Sequence, residues 1–224
     1  MSLTRAHESC NHRRVGAFSS AFVARLDRLA LRGTFEAHLT VDTSQRDGFA
    51  ALCAELGVDH VGIELPQGEH RAQPMTASYH RGELTEVMRE IDALHARIVE
   101  RGFAVVRVKL EAALGTDGLP TDDGYYEFHV KVHVPELARL VDLAAIADRH
   151  DGRLSRNDRS RDERGAQRFV TLRVYQSDRD AAEARLDALV EALRATGFAI
   201  AGTAREYTIY DSRIELDAGW LEPP

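Results

Sequence analysis

Two seven-residue stretches carry the side chains from which proton-transfer or metal chemistry is built. Phe35-Glu36-Ala37-His38-Leu39-Thr40-Val41 and Tyr126-Glu127-Phe128-His129-Val130-Lys131-Val132 both alternate apolar and polar residues, the pattern of a half-buried strand. Successive strand side chains point to opposite faces. Glu36, His38 and Thr40 therefore share one face, and Glu127, His129 and Lys131 share another. A carboxylate and an imidazole side by side can pass a proton at neutral pH. The same two groups, doubled by a second strand, can supply two nitrogen and two oxygen ligands to a divalent cation. The candidate catalytic residues are thus His38, His129, Glu36 and Glu127, and the same four form the alternative metal set.

Other strand-like stretches add hydroxyls and cations. Thr76, Ser78 and His80 alternate with apolar neighbours, as do Arg107, Lys109 and Glu111, and Thr171, Arg173 and Tyr175. Thr40, Lys131, Thr76, His80, Lys109, Thr171, Arg173 and Tyr175 are the candidate substrate-binding residues. Glu64, Ser78, Arg107 and Ser155 complete the polar face. Hydroxyls and cations around paired histidines suit an anionic small molecule such as a phosphate or carboxylate.

The elements that must position these residues come in two similar sets. The two Glu-x-His pairs lie 91 residues apart, while Thr76 and Thr171, and Phe103 and Phe198, lie 95 apart. Each half reads strand, helix, strand, strand, helix, strand, the split βαβ or ferredoxin-like order. The clearest helical stripe is Leu84, Val87, Met88, Ile91, Leu94, Ile98 and Val99. Pro135 suits a first helical position, followed by Leu137, Leu140, Val141, Ala144 and Ile146, and Ser177 with Asp180 reads as a cap for the last helix. The expected class is α+β, with tandem ferredoxin-like repeats whose open sheet faces enclose a polar cleft or barrel-like cavity. The boundaries are a tail and helix over 1–33, a first repeat over 34–111, a linker over 112–124, a second repeat over 125–210 and a C-terminal tail over 211–224. The sole tryptophan, Trp220, falls in that tail, as an anchor on the core or a lid over the cleft.

Composition narrows the partners. With 224 residues, 29% charged side chains and a formal net charge of −7, a general nucleic-acid surface is not expected. No apolar run approaches the ~20 residues of a membrane span and no leader pattern opens the chain, so the expectation is a cytoplasmic protein. Cys10 and Cys53 do not suggest a disulfide framework.

Three likenesses follow from these motifs. His38-Leu39-Thr40 resembles the His-x-Thr motif of the two-histidine phosphoesterases, which are bilobed with one motif per repeat. The resemblance implies that His38 and His129 act as acid and base on a phosphodiester or cyclic phosphate while Thr40 holds a phosphate oxygen. Lys131 stands where that family has Thr or Ser. Glu127-x-His129-x-Lys131 is similar to the Glu-x-Glu-x-Lys strand of the triphosphate-tunnel enzymes, which hold Mg²⁺ on carboxylates inside a barrel. Gln73–Thr76, Leu154–Asn157 and Arg168–Thr171 resemble segments of an uncharacterised bacterial and plant family, which implies no activity.

Three functions are therefore open: acid–base chemistry on a phosphorylated, nucleotide-like substrate; a metal-dependent enzyme with Zn, Fe, Mn or Mg at the repeat interface; or a non-catalytic ligand-binding module.

Overall fold

The computed structural model describes residues 16–26, 30–120, 124–157, 161–162 and 165–221. The polar N-terminal stretch with Cys10, and parts of the 112–124 linker and of the 158–165 loop, lie outside these. Helix α1 (Ser20–Leu26) precedes β1 (Arg32–Val41), α2 (Arg46–Leu56), β2 (Asp59–Glu64), β3 (Ala72–Glu83), α3 (Leu84–Glu100) and β4 (Val105–Ala113). The second half runs β5 (Tyr125–Val134), α4 (Leu140–Arg149), β6 (Gly152–Asn157), a two-residue β7 (Arg161–Asp162), β8 (Gly165–Tyr175), α5 (Arg179–Ala195) and β9 (Ala199–Asp211). The fold is α+β, and both halves follow the expected strand–helix order.

The two expected sheets are in fact one. The strand order is β5-β9-β4-β1-β3-β2-β6-β8-β7, and β8 pairs back on β5. Eight strands thus close into an antiparallel barrel, with β7 outside the ring as a hairpin on β8. Closure joins the halves at both edges of each four-stranded layer. Two seams join them: β4 to β9 through five residue pairs, and β2 to β6 through two.

Alternation then sorts every strand. Phe35, Ala37 and Leu39 of β1 and Phe128, Val130 and Val132 of β5 are fully buried, on the side covered by the helices. Their packing partners include Leu84, Ile91 and Ile98 of α3 and Leu186, Leu189 and Leu193 of α5. On β1, β4 and β5 the polar side turns inward and lines the lumen.

Several local expectations shift. The first helix stops earlier than expected, and Gly33 already lies in β1. Pro135 lies outside the helix: Glu136 is extended, a 3₁₀ turn covers Leu137–Arg139, the α-helix starts only at Leu140, and Leu137 and Val141 are 68% and 75% exposed. The inward residues there are Leu143, Ile146 and Ala147. Val99 of the α3 stripe is also half exposed. Asp178, not Ser177, caps α5, its carboxylate accepting the Ala181 N–H.

The C-terminal segment folds back onto the barrel. Its short 3₁₀ turn, Ile214–Asp217, precedes Trp220, which is 6% exposed and packs with Leu65, Leu221 and Ile63. The indole N–H donates to the Leu154 carbonyl at 2.8 Å. The anchoring role expected of Trp220 therefore holds, and the ring also borders the lumen. This segment clasps the β2–β3 turn through two glycines. Gly219 has φ +78°, and a Cβ there would lie 3.1 Å from Gly68 Cα; Gly68 has φ +97°, and a Cβ there would lie 2.9 Å from the Ala218 carbonyl oxygen. Gly57, at φ +74° with open space around it, isolates the backbone effect. We expect Gly57→Ala to lower stability by about 1 kcal/mol, the left-handed penalty, and Gly219→Ala by roughly 2 kcal/mol because the contact adds to it. Urea denaturation of the two variants measures the difference.

Candidate functional site in the barrel lumen

The lumen holds a cavity of about 300 Å³. Strands β1, β4, β5 and β9 deliver most of its titratable groups, joined by Arg173 of β8 and Asp217 of the C-terminal segment. Cross-strand pairing aligns Glu36 with Glu111, His38 with Lys109, and Glu127 with Glu206. The two Glu-x-His strands thus face a shared interior, as their patterning suggested.

Both imidazoles are held by one ring nitrogen and present the other. His38 Nδ1 lies 3.0 Å from the Thr76 carbonyl oxygen. A carbonyl only accepts, so Nδ1 carries the hydrogen. The local ladder makes this possible: the Leu39 N–H donates to Thr76 Oγ1 at 3.1 Å, which leaves the Thr76 carbonyl for the ring. His38 Nε2 then sits 3.3 Å from Glu111 Oε2 and 3.4 Å from Glu36 Oε1. His129 Nδ1 is 3.0 Å from Thr171 Oγ1, and its Nε2 is 3.2 Å from Glu127 Oε1 and 3.8 Å from Glu206 Oε2. Burial opposes charging His38, but the Glu111 and Glu36 carboxylates outweigh it and raise its pKa.

Deeper in the barrel every cation is already engaged. Lys109 Nζ lies 2.7 Å from Glu111 Oε1 and 2.8 Å from Glu127 Oε1. Arg173 donates to Glu127 at 2.6 Å and to Asp217 at 2.8 Å. Arg107 grips Asp211 through two bonds of 2.9 and 2.6 Å and Asp217 through two more of 3.2 and 3.0 Å. Tyr125 donates to Asp211, and Gln73 to Asp217. Burial disfavours ionisation of Glu127, Asp211 and Asp217, yet Arg173, Arg107 and Lys109 overcome it and hold all three below the usual carboxylate range.

Six carboxylates, Glu36, Glu111, Glu127, Glu206, Asp211 and Asp217, thus face three fixed cations in one connected network. The excess gathers at the histidines. Glu206 shows it: burial first, then the neighbouring Glu111 and Glu36 charges, push its pKa up to about 10. Ligand atoms of Glu111, His129 and Glu206 all lie within 4.8 Å of one another. Glu111 is 1% exposed; its Oε1 meets Lys109 and Thr208, whereas Oε2 has only the long 3.3 Å contact to His38 Nε2. A buried carboxylate oxygen so weakly satisfied is costly, and a cation at this cluster would complete its shell.

The sequence-derived residues separate into three groups. Glu36, His38, Thr40, Lys109, Glu127, His129, Thr171 and Arg173 line the lumen. Lys131 pairs with Phe169 and Gly202 on the lumen-side face but does not line the cavity, and Tyr175 sits behind Arg173, its hydroxyl 3.4 Å from that guanidinium. Thr76, Ser78 and His80 occupy the opposite, helix-facing side of β3. Pairing decides this: Glu36 faces Tyr79 and Thr40 faces Met75, so the odd-numbered residues of β3 point inward. Thr76 positions His38 instead of touching a substrate. His80 Nε2 is 2.9 Å from Ser78 Oγ and its Nδ1 is 2.7 Å from Glu90 Oε2, which ties β3 to α3. Glu64 likewise turns away from the lumen and pairs with Arg156.

Glu111, Glu206, Asp211, Asp217 and Gln73 were not among the candidates. Glu111 had a legible signal, since it alternates with Arg107 and Lys109. Asp217 had none, because nothing in a polar tail announces that it re-enters the barrel.

No protein-family model matches the chain, and no curated protein matches it. Two solved structures are similar over much of its length. One is the ligand-free regulatory subunit of aspartate kinase from Thermus thermophilus, at 15% identity and TM-score 0.31, covering 73% of this chain and 95% of that one. The other is a candidate monooxygenase from Fusobacterium nucleatum subsp. nucleatum, at 11% identity and TM-score 0.30, covering 87% and 97%. Neither likeness bears on the chemistry of the lumen. No helix among the described residues is long and apolar enough to cross a membrane.

Proposed function

We propose that the lumen binds a divalent cation on Glu111, His129 and Glu206 and that the protein is a metal-dependent enzyme acting on a small molecule that enters the barrel. The observation that carries this reading is the gathering of those three ligand atoms within 4.8 Å, where the buried Glu111 Oε2 has only a 3.3 Å contact to His38. The mixed nitrogen and oxygen donors suit Mn²⁺, Fe²⁺ or Zn²⁺. Such an ion would act as a Lewis acid on a bound oxygen. His38, clamped by the Thr76 carbonyl and facing Glu111 and Glu36, would be the group that moves a proton.

The metal set differs from the Glu36, His38, Glu127 and His129 foursome suggested by spacing alone. Glu127 is committed to Lys109 and Arg173, whereas Glu111 and Glu206 offer oxygens on the histidine side. The phosphoesterase reading draws support from His38 and Thr40 sharing the lumen. Against it, Arg107, Lys109 and Arg173 are neutralised by carboxylates, so no cation is left in the network to receive a phosphate. The matching element order of the two halves supports descent by duplication of one ferredoxin-like unit.

Elemental analysis of the protein purified without chelators tests the reading. One Mn, Fe or Zn per chain is expected. After chelator treatment, calorimetric titration with Mn²⁺ should give a single site that Glu206→Gln weakens at least tenfold. Absence of stoichiometric metal, together with no Mn²⁺ binding below millimolar concentration, would overturn it.

A further inference from the structure

The lumen is split between two arcs of four neighbouring strands. Strands β5, β9, β4 and β1 carry the carboxylates and histidines described above. Strands β3, β2, β6 and β8 carry polar residues too, Thr171 and Arg173 among them, but they also present an apolar patch: Val61 and Ile63, Met75 and Phe169, completed by Trp220 from the C-terminal segment. Val61, Ile63 and Phe169 are only partly buried, so this apolar surface faces the cavity and is not consumed by the core. Between the arcs stands Thr40. It is 3% exposed, it lines the cavity, and its Oγ1 has no hydrogen-bond partner.

A phosphate-sized anion makes poor use of such a wall. Within the metal-free network the lumen's cations are outnumbered and paired, so an incoming carboxylate or phosphate would be desolvated among like charges. An apolar cavity of about 150 Å³ admits benzene, so 300 Å³ admits one ring or branched chain with substituents.

Resting on the metal reading above, we propose that the lumen takes a small uncharged or cationic molecule with an apolar body and an oxygen donor head. The body lies against Val61, Ile63, Phe169 and Trp220. The head reaches the Glu111–His129–Glu206 cluster, and Thr40 Oγ1 serves a polar substituent between them. This class replaces the anionic substrate that the hydroxyls and cations alone suggested.

Trp220 is the only tryptophan, so its emission reports on the wall. Benzamide and benzoate share a ring and differ in charge, which makes them the discriminating pair. Each is titrated into the full chain with and without saturating Mn²⁺, with inorganic phosphate as a third ligand. Benzamide is expected to change Trp220 emission at submillimolar concentration and to bind at least fivefold more tightly when Mn²⁺ is present. Without Mn²⁺, benzoate and phosphate are expected to bind at least tenfold more weakly than benzamide. Val61→Asn should weaken benzamide at least fivefold while Mn²⁺ affinity, which reports an intact lumen, stays unchanged. Preference of the metal-free chain for benzoate or phosphate would overturn the proposal. Mn²⁺ uptake without benzamide binding would overturn it too and leave the metal reading standing. Benzamide binding to a chain that takes up no Mn²⁺ supports the wall and removes the metal reading.

Discussion

Asp217→Ala is expected to lower stability by about 3 kcal/mol, because it strips one carboxylate from two buried guanidiniums at once. Removing one partner of a buried ion pair costs about 3–5 kcal/mol, since the remaining charge stays desolvated. Arg107 keeps Asp211 and Arg173 keeps Glu127, which sets the estimate at the low end. For a chain of this size that is a fall in Tm of roughly 6–12 °C, read by differential scanning calorimetry. A loss under about 1 kcal/mol would mean that the segment carrying Asp217 does not sit in the lumen. The same groups set a pH dependence. Glu127, Asp211 and Asp217 titrate below the ordinary carboxylate range in the folded chain. Unfolded carboxyls titrate near pH 4. The stability these pairs confer is therefore complete above about pH 5 and drains away as the pH falls through 4 toward the depressed values. Asp217→Ala should show a shallower acid decline than the parent chain.

His129→Ala should abolish metal binding with little effect on the fold. The His129 side chain is 28% exposed, and its removal leaves no buried charge stranded, because Glu127 retains Lys109 and Arg173. Loss of a group that merely orients a ligand costs about 10–100-fold in metal affinity, so loss of the ligand itself should cost about 100-fold or more. Thr171→Val, which removes the hydroxyl 3.0 Å from His129 Nδ1, should fall in the 10–100-fold range. Calorimetric Mn²⁺ titration reads both. Unchanged affinity in His129→Ala would remove the ligand set, and any turnover found for the protein should vanish with the metal.

Much of this was legible before any coordinates. The seven-residue alternations put Glu36 and His38, and Glu127 and His129, on the faces they occupy, because period-two burial is a local property that pairing cannot reverse without exposing Phe35 or Phe128. The element order of both halves was readable for the same reason. Strand β3 was not. Its odd and even positions both mix polar with apolar residues, so local pattern offered two solutions, and only pairing with β1 chose between them. That choice moved Thr76 and His80 out of the lumen. The carboxylates that complete the cluster depend on contacts across long spans of sequence. Glu206 meets His129 only because β9 closes against β5, and Asp217 reaches Arg107 only because the chain turns back after Asp211. Exposed Leu137 and Val141 misled in the opposite sense, since a helical stripe shows spacing and not where the helix begins.

The ring closure bears on the order of assembly. Each half owns a complete helix-covered layer whose contacts are short in sequence, so each can condense by itself. Three ion pairs of the interior span both halves: Lys109 reaches Glu127, and Arg107 reaches Asp211 and Asp217. Until the seams shut, those charges remain hydrated and nothing is lost by leaving them apart. Shutting the seams strips their water in a single event, and only the correct register returns a counter-charge to each. A misaligned closure would bury naked ions and reopen, so the polar interior acts as the chain's own check that its halves have met in step.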